Sequence, residues 1–404
     1  MNLNRFFAAL LIPLGLSATG AFGQAGKPVR IGVMTDLAGM TSELVGAGSV
    51  IAARMAVEDF GGKVAGRPIE IVVGDTQNKP DVASVMARRW FDTDGVDVIV
   101  DLPNSSVALA VLEVVKSAKK VVLLTAGAST AFSGKSCSPY SVQWSRDSYG
   151  LAQSIGSEVV KSGGDTWFFI TADYAFGYAT EAAVSQVVLK SGGKVLGGVK
   201  HPTGASDFSS FLLQAQTSKA KIIGMANAGS DTILAFKQAA EFGIGKGGQR
   251  LVATYINLTD INSIGIKAAQ GSPVVDTFYW DMNDPARTWS RRFFERQKRM
   301  PTSLQADVYS AVTHYLKAVQ TTDPADGAAV VRTMKATTIM GPVLNNARIR
   351  EDGRVVRDYY MFRVKSPEES KTPWDYYKLE RTIAGDQLVL PLAESECPMV
   401  KKPT

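Results

Sequence analysis

Val29-Arg30-Ile31-Gly32-Val33-Met34 leads into a polar, glycine-rich turn and then into Val50, Ala53, Val57 and Phe60, which recur at helical spacing. A continuous apolar strand followed by an amphipathic helix is one βα unit, and the unit repeats at once. Ile69 to Val73 reads as a strand, with Val82, Val85, Met86 and Trp90 on the next helix. Val96 to Val100 is a strand before the helical stripe Leu109, Leu112 and Val115, and Val121 to Thr125 is a fourth apolar run. Uninterrupted apolar strands alternating with helices indicate a parallel sheet covered on both faces.

A second series begins after the Ser138-Pro139 turn. Leu151, Ile155 and Val159 form a helical stripe before the strand Trp167 to Ile170, and Ala183 and Val187 mark the next helix. Lys194 to Val199, Ala220 to Ala226 and Leu251 to Tyr255 read as further strands. Beyond them Thr277 to Trp280 reads as a strand, two helices carry Trp289 and Phe293 and then Val308, Val312, Tyr315 and Val319, and Tyr359 to Val364 is a late strand before an irregular tail. The expected architecture is α/β, two doubly wound three-layer lobes joined by multiple crossovers that make a hinge. Lobe 1 takes residues 25–143 and 277–345, and lobe 2 takes 144–276 and 346–390.

Met1 to Gly23 reads as a targeting segment: Arg5 is its positive end, Phe6 to Leu16 its apolar core, and Ala21-Phe22-Gly23 its cleavage region. Residues 1–24 are therefore expected to be a signal peptide and the mature chain to reach the periplasm. No later apolar run is long enough to span a membrane, so no stable insertion of the mature chain is expected. The net charge of +6 is scattered, as in Arg88-Arg89 and Arg291-Arg292, which argues against nucleic acid as a partner. In an exported chain the two cysteines, Cys137 and Cys397, are expected to form a disulfide that clamps the tail, residues 391–404, to lobe 1; two free or buried thiols are the alternative.

Chemistry-bearing motifs are scarce. The histidines are His201 and His314. The chain lacks a His-Glu-x-x-His helix, a Gly-x-Ser-x-Gly elbow and a Walker lysine loop, so neither a metal nor a cofactor is expected. The ends of parallel strands are more informative, because ligands of open α/β sheets bind there against helix N-termini. Asp101-Leu102-Pro103-Asn104-Ser105-Ser106 and Thr125-Ala126-Gly127-Ala128-Ser129-Thr130 each follow a strand and offer hydroxyls and amides suited to a carboxylate, although ordinary helix caps use the same residues. In the second series Tyr174 and Phe176, Asn227 and Tyr255 follow strands, and Trp144 and Trp280 flank the crossovers; these aromatics suit a cleft wall, with core packing the plainer alternative.

In the order and spacing of Ile31-Gly32-Val33, Ser105-Ser106, Thr125 to Ser129, Asp173 to Gly177, Pro301-Thr302 and Ala306 to Leu316, the chain resembles the periplasmic binding proteins of the branched-chain amino acid type, receptors of ATP-driven importers. The resemblance implies the type I periplasmic binding fold with its two lobes joined by three hinge crossovers, a monomer that captures a small-molecule ligand by lobe closure, and ABC permease subunits as partners. It implies carboxylate binding at Ser105 or Ser106, Gly127 and Ser129. It also implies an aromatic wall at Phe176 beside Tyr174, and a ligand contact near Asn227. Amino-acid receptors place an acid for the ligand ammonium where Tyr255 or Asn257 stands here. That departure, with Trp144, Tyr174, Phe176 and Trp280, points to a compact carboxylate without an amino group, aromatic acids included; an amino-acid-like compound is the alternative, with Asp260 or Asp281 as its acid. A sensory receptor using the same cleft, or a hydrolase or lyase, are the alternatives; permease genes alongside would favour import, and turnover of ligand would favour an enzyme.

Overall fold

The computed structural model describes residues 26–245 and 247–401, so the expected signal peptide lies outside the described residues. The first unit runs β1 (Val29–Thr35), α1 (Gly46–Asp59), β2 (Lys63–Val64), β3 (Arg67–Asp75), α2 (Pro80–Asp92), β4 (Val98–Asp101), α3 (Ser105–Ala118), β5 (Val121–Leu124) and β6 (Ser141–Gln143). Its sheet has the order β2-β3-β1-β4-β5-β6, parallel except where β2 meets β3. The strand order reverses between β1 and β4, which opens a crevice at their carboxyl ends.

The second unit continues with α4 (Ser148–Leu151), a π-helical turn (Ala152–Gly156), α5 (Ser157–Lys161), β7 (Thr166–Ala172), α6 (Ala175–Lys190), β8 (Lys194–His201), α7 (Ser209–Thr217), β9 (Ile222–Ala226), α8 (Ser230–Glu241), β10 (Arg250–Ala253), α9 (Leu258–Ile264), α10 (Ile266–Ala269) and β11 (Pro273–Asp276). Its parallel sheet has the order β10-β9-β7-β8. The chain then returns to the first unit through α11 (Asp284–Gln297), α12 (Ser303–Val319), α13 (Gly327–Lys335), β12 (Ile339–Met340), β13 (Asn345–Ile349) and β14 (Val355–Val356). It ends against the second unit with β15 (Tyr359–Val364) and β16 (Tyr377–Ile383), which form an antiparallel sheet in the order β11-β15-β16.

The inner strands of the two parallel sheets are buried on both faces, as their apolar composition requires. Val33, Val100 and Leu123 pack under Trp289, Phe293 and Tyr315 on one side of the first sheet, and Ile99 and Val122 pack with Trp90 and Leu112 on the other. Trp167 and Phe169 face Val184 in the second sheet, while Ile170 and Met225 face Phe208. Helix starts follow local chemistry. The Asn104 side chain accepts from Ser106 N and Val107 N ahead of α3, and Thr302 with Gln305 closes a capping box on α12. The chain crosses between units three times, within 143–148, 276–278 and 355–359.

Four expectations need correction. Residues 277–280 are not the strand; β11 ends at Asp276, and Tyr279 and Trp280 instead both donate to the Trp374 carbonyl, at 3.1 and 2.9 Å. An aromatic run has strand propensity, but here its rings pack beside β15 and β16. The tail is not irregular throughout: β16 was hidden because Lys378, Glu380 and Arg381 break its apolar signal. The fourth apolar run of the first unit is followed by β6, too short at three residues to show a period. Finally, Ala347, Ile349 and Val355 lie in the first unit's core, so the last return falls near residue 356 rather than 346.

Cys137 and Cys397 form a disulfide with a Cα–Cα distance of 5.6 Å, spanning 260 residues of sequence. It ties the C-terminal segment to the loop between β5 and β6. Among the described residues no helix is long and apolar enough to cross a membrane.

Candidate ligand cleft and hinge

Both sheets point their carboxyl ends at the space between the units, and an apolar cluster fills it. Leu44, Val45, Ala126, Ala128 and Leu304 from the first unit join Phe176, Ala228 and Tyr255 from the second. Together with Thr41, Pro103 and Tyr174 they line a narrow cavity, about 310 Å³ of space between atoms when its open side is included. No lining residue is acidic or basic. Three polar contacts fasten the units across it. Ser230 N donates to Met40 O at 3.0 Å, Ala175 N to Ser106 Oγ at 3.4 Å, and Tyr255 Oη to Ala126 O at 3.4 Å. Gly229 permits the first of these: its φ is 61°, and a Cβ there would stand 2.2 Å from Met40 O.

The loop after β5 has a polarity set by its anchors. The carbonyl of Gly127 accepts from Ser145 Oγ, that of Ala128 from Ser148 N and Oγ, and that of Ser129 from Gln143 Nε2. Because a trans peptide points its N–H opposite its C=O, the N–H groups of Ala128, Ser129 and Thr130 face away from residues 143–148. Ser129 Oγ accepts from Ala131 N at 3.3 Å, the ordinary cap. Ser105 Oγ is buried and has no hydrogen-bond partner.

Of the residues singled out from sequence, Tyr174, Phe176 and Tyr255 come together in the cavity wall; the Phe176 and Tyr255 rings meet edge-on at 5.2 Å. Burial raises the pKa of both tyrosine phenols, so they stay neutral. Ser106 is a closing contact, and Gly127 sits between two wall alanines. Asn227 lies one residue from the wall, its Oδ1 accepting from Thr232 Oγ1 at 2.8 Å and its Nδ2 3.3 Å from His201 Nε2. His201 is packed against Phe208 at 4.8 Å, and burial lowers its pKa, so the ring is neutral. Trp144 does not reach the cleft. It is a core residue of the first unit, fully buried, with Nε1 donating to Ser310 Oγ at 2.8 Å. Trp280 is likewise off the cavity, packed beside the second crossover.

Asn257 is turned from the cavity into the hinge. It caps α9 with Asp260, and its Oδ1 accepts from Arg146 Nη2 at 2.7 Å. Arg146 is 1% exposed, pairs with Asp276, donates to Ser303 Oγ at 2.6 Å, and lies 4.5 Å over the Tyr255 ring. One guanidinium thus touches two crossovers, both units and the back of the cleft wall. Arg357 holds Asp307 through two bonds of 2.5 and 2.7 Å, and Arg354 pairs with Asp147 at 3.2 Å. Burial pushes the Asp276 carboxyl up and Arg146 draws it back down; burial lifts Asp307 to about 6 against the pull of Arg357. Sequence reasoning missed Arg146, because a single arginine at a unit boundary carries no periodic signal. It also missed Thr41, Leu44, Val45, Pro103, Ala228 and Leu304, whose apolar or small side chains look like core.

Residues 28–371 match the model of a family described as periplasmic binding protein. A periplasmic binding protein from Burkholderia mallei is 46% identical, with a TM-score of 0.91 over 93% of this chain and 99% of that one. A branched chain amino acid ABC transporter periplasmic ligand-binding protein from Burkholderia xenovorans LB400 is 38% identical, with a TM-score of 0.81 over 92% and 100%. The Leu/Ile/Val-binding protein homolog 6 of Brucella melitensis is 21% identical over 382 residues, 92% of this chain and 94% of its own length. A two-unit α/β fold, a cleft between the carboxyl ends of its sheets and a match over most of the chain agree: the protein belongs to the periplasmic binding proteins, the ligand-binding components of ABC transporters.

Proposed function

We propose that the protein captures a compact carboxylic acid without an amino group, aromatic acids included, by closing its two units, and delivers it unchanged to an ABC permease. The observation that carries this reading is the cavity wall: three aromatic side chains, no acidic residue, and an asparagine at 257 that is committed to a buried arginine. An ammonium group brought there would be desolvated with no counter-charge, which is costly. A carboxylate has donors to meet: the unpartnered Ser105 hydroxyl at the start of α3, and the N–H groups of Ala128 and Ser129. Flat area from Tyr174, Phe176 and Tyr255 suits a ring. Fold neighbours from Rhodopseudomonas palustris, 17 and 21% identical, are in complex with benzoate and 3,4-dihydroxy benzoic acid, which supports the reading as analogy.

In this mechanism the ligand docks on the first unit at the α3 and β5 loops. The second unit then swings in, setting Phe176 and Tyr255 over it and making the Ser230–Met40 and Ala175–Ser106 contacts. Ligand drives closure only by the contacts it gains in the closed form. Mass spectrometry of small molecules released from the purified, denatured protein tests the reading. A nitrogen-free acid is the expected finding, and a branched-chain amino acid would overturn it.

A further inference from the structure

Two helices of the second unit, α6 and α8, start at the cleft without a side-chain cap of their own. Tyr174 and Gly229 stand at their N-cap positions, and neither helix start has a side-chain hydrogen bond from its cap residue. In the same unit α4 is capped by Asp147, and α9 by Asn257 with Asp260. The first N–H of each uncapped helix is satisfied from the other unit instead. Ala175 N donates to Ser106 Oγ at 3.4 Å, and Ser230 N donates to Met40 O at 3.0 Å. A first-turn N–H has no acceptor within its own helix, so these two have protein partners only while the units are together.

The stronger of the two contacts depends on a carboxylate that touches neither helix. Asp36, fully buried just past β1, accepts from Gly39 N on Oδ1 at 2.7 Å. Its Oδ2 accepts from Thr41 N, Thr41 Oγ1 and Asn78 Nδ2 at 2.9, 2.7 and 2.7 Å. The residues on both sides of Met40 are thus fixed to one side chain, and Asn78 ties that side chain to the loop after β3. A Cβ on Gly39 would stand 2.6 Å from Asp36 Oδ1 and 2.8 Å from Asn78 Nδ2, so the turn wraps this closely only around a glycine. Farther along, Thr302 Oγ1 donates to Leu44 O at 2.8 Å and Gln305 Nε2 to Val45 O at 3.2 Å, which secures the same loop to α12. We propose that Asp36 is a positioning residue for closure: by gripping Gly39 and Thr41 it holds Met40 O where the start of α8 arrives, so that the first unit caps a helix of the second across the cleft. Neither Asp36 nor Asn78 lines the cavity, so their influence on a ligand passes through Met40 and the lifetime of the closed form. The inference rests on the reading that the two units close, and is independent of which ligand they close over.

Hydrogen exchange at single-residue resolution tests this on the mature protein alone, with benzoate and with leucine, so that closure is sampled for either class of ligand. The Ser230 amide is expected to be protected in at least one of the three conditions. Asp36→Asn sets an N–H against at least one donor of the loop. Where Ser230 is protected, this variant should speed its exchange by about fivefold, the equilibrium worth of one hydrogen bond, while β9 and α12 exchange as before. Ser230→Pro, a substitution that the first turn of a helix tolerates, deletes the donor itself. It should loosen the Ala175 amide as much as Asp36→Asn does, and the double variant should loosen it no further. A Ser230 amide unprotected in all three conditions, or loosening by Asp36→Asn confined to residues 37–41, would overturn the positioning role; so would additive effects in the double variant. Protection with leucine and none with benzoate would support the cap while overturning the ligand class proposed above. Should Asp36→Asn not fold, Gly39→Ala, which crowds the same carboxylate, takes its place.

Discussion

The hinge and the cleft of this protein are both buried, yet they are built from opposite chemistry. The hinge joins Arg146, Arg354 and Arg357 to Asp276, Asp147 and Asp307, and each guanidinium also donates to one hydroxyl, of Ser303, Tyr359 and Thr277 respectively. The cleft is apolar side chains closed by three single hydrogen bonds. Ion pairs of this kind are intolerant of losing one member, because the survivor is left charged and dry. Apolar surfaces held by a few weak contacts part at modest cost and reward a guest that fills the gap. The hinge fixes where the two units sit; the cleft decides whether they stay together.

The largest expected effect breaks the hinge alone. Arg146→Met strands Asp276 and should destabilise the fold by about 3–5 kcal/mol in urea unfolding; a loss below 1 kcal/mol would mean the network is dispensable. Breaking the cleft alone comes next. Phe176→Ala should weaken ligand by at least about tenfold in calorimetry, and a variant that binds as before would remove Phe176 from the ligand surface. Tyr255→Phe deletes only the hydroxyl that reaches Ala126 O, so affinity should fall by about 2–10-fold with thermal stability of the ligand-free protein nearly unchanged. The smallest effect sharpens the comparison behind the cleft wall. Burial lifts the Asp231 carboxyl to about 6. Its folded state therefore holds a proton more tightly than the unfolded chain, and its share of stability is present below about pH 4 and lost as pH rises through about 6. Asp231→Asn should flatten the stability profile in that window; an unaltered slope would show that Asp231 does not titrate there.

The comparison also explains what the sequence disclosed. The two sheets were legible because strands such as Val29 to Met34 and Ile222 to Ala226 are apolar throughout, and the helices between them keep a 3.6-residue period. The cleft was half legible. Tyr174, Phe176 and Tyr255 stand at strand ends, where a large ring has few other reasons to be, while Ala126, Ala128 and Leu304 cannot be told from core without coordinates. Trp144 and Trp280 misled for the same reason in reverse: both are near crossovers, but one fills the first core and the other packs beside the Tyr377 hairpin. Trp280→Ala should accordingly lower thermal stability while leaving ligand affinity nearly unchanged in calorimetry. The hinge was illegible, since Arg146, Asp276 and Arg357 are widely separated and ordinary in their local sequence. Only the three crossovers bring them to one place.

Calorimetric titration of ligand-stripped protein with a panel of small acids, aromatic acids and amino acids tests the central claim most directly. The account predicts tight binding of one or more amino-free carboxylic acids and no heat from leucine, isoleucine or valine. Tight binding of leucine or valine with silence from every amino-free acid would contradict it.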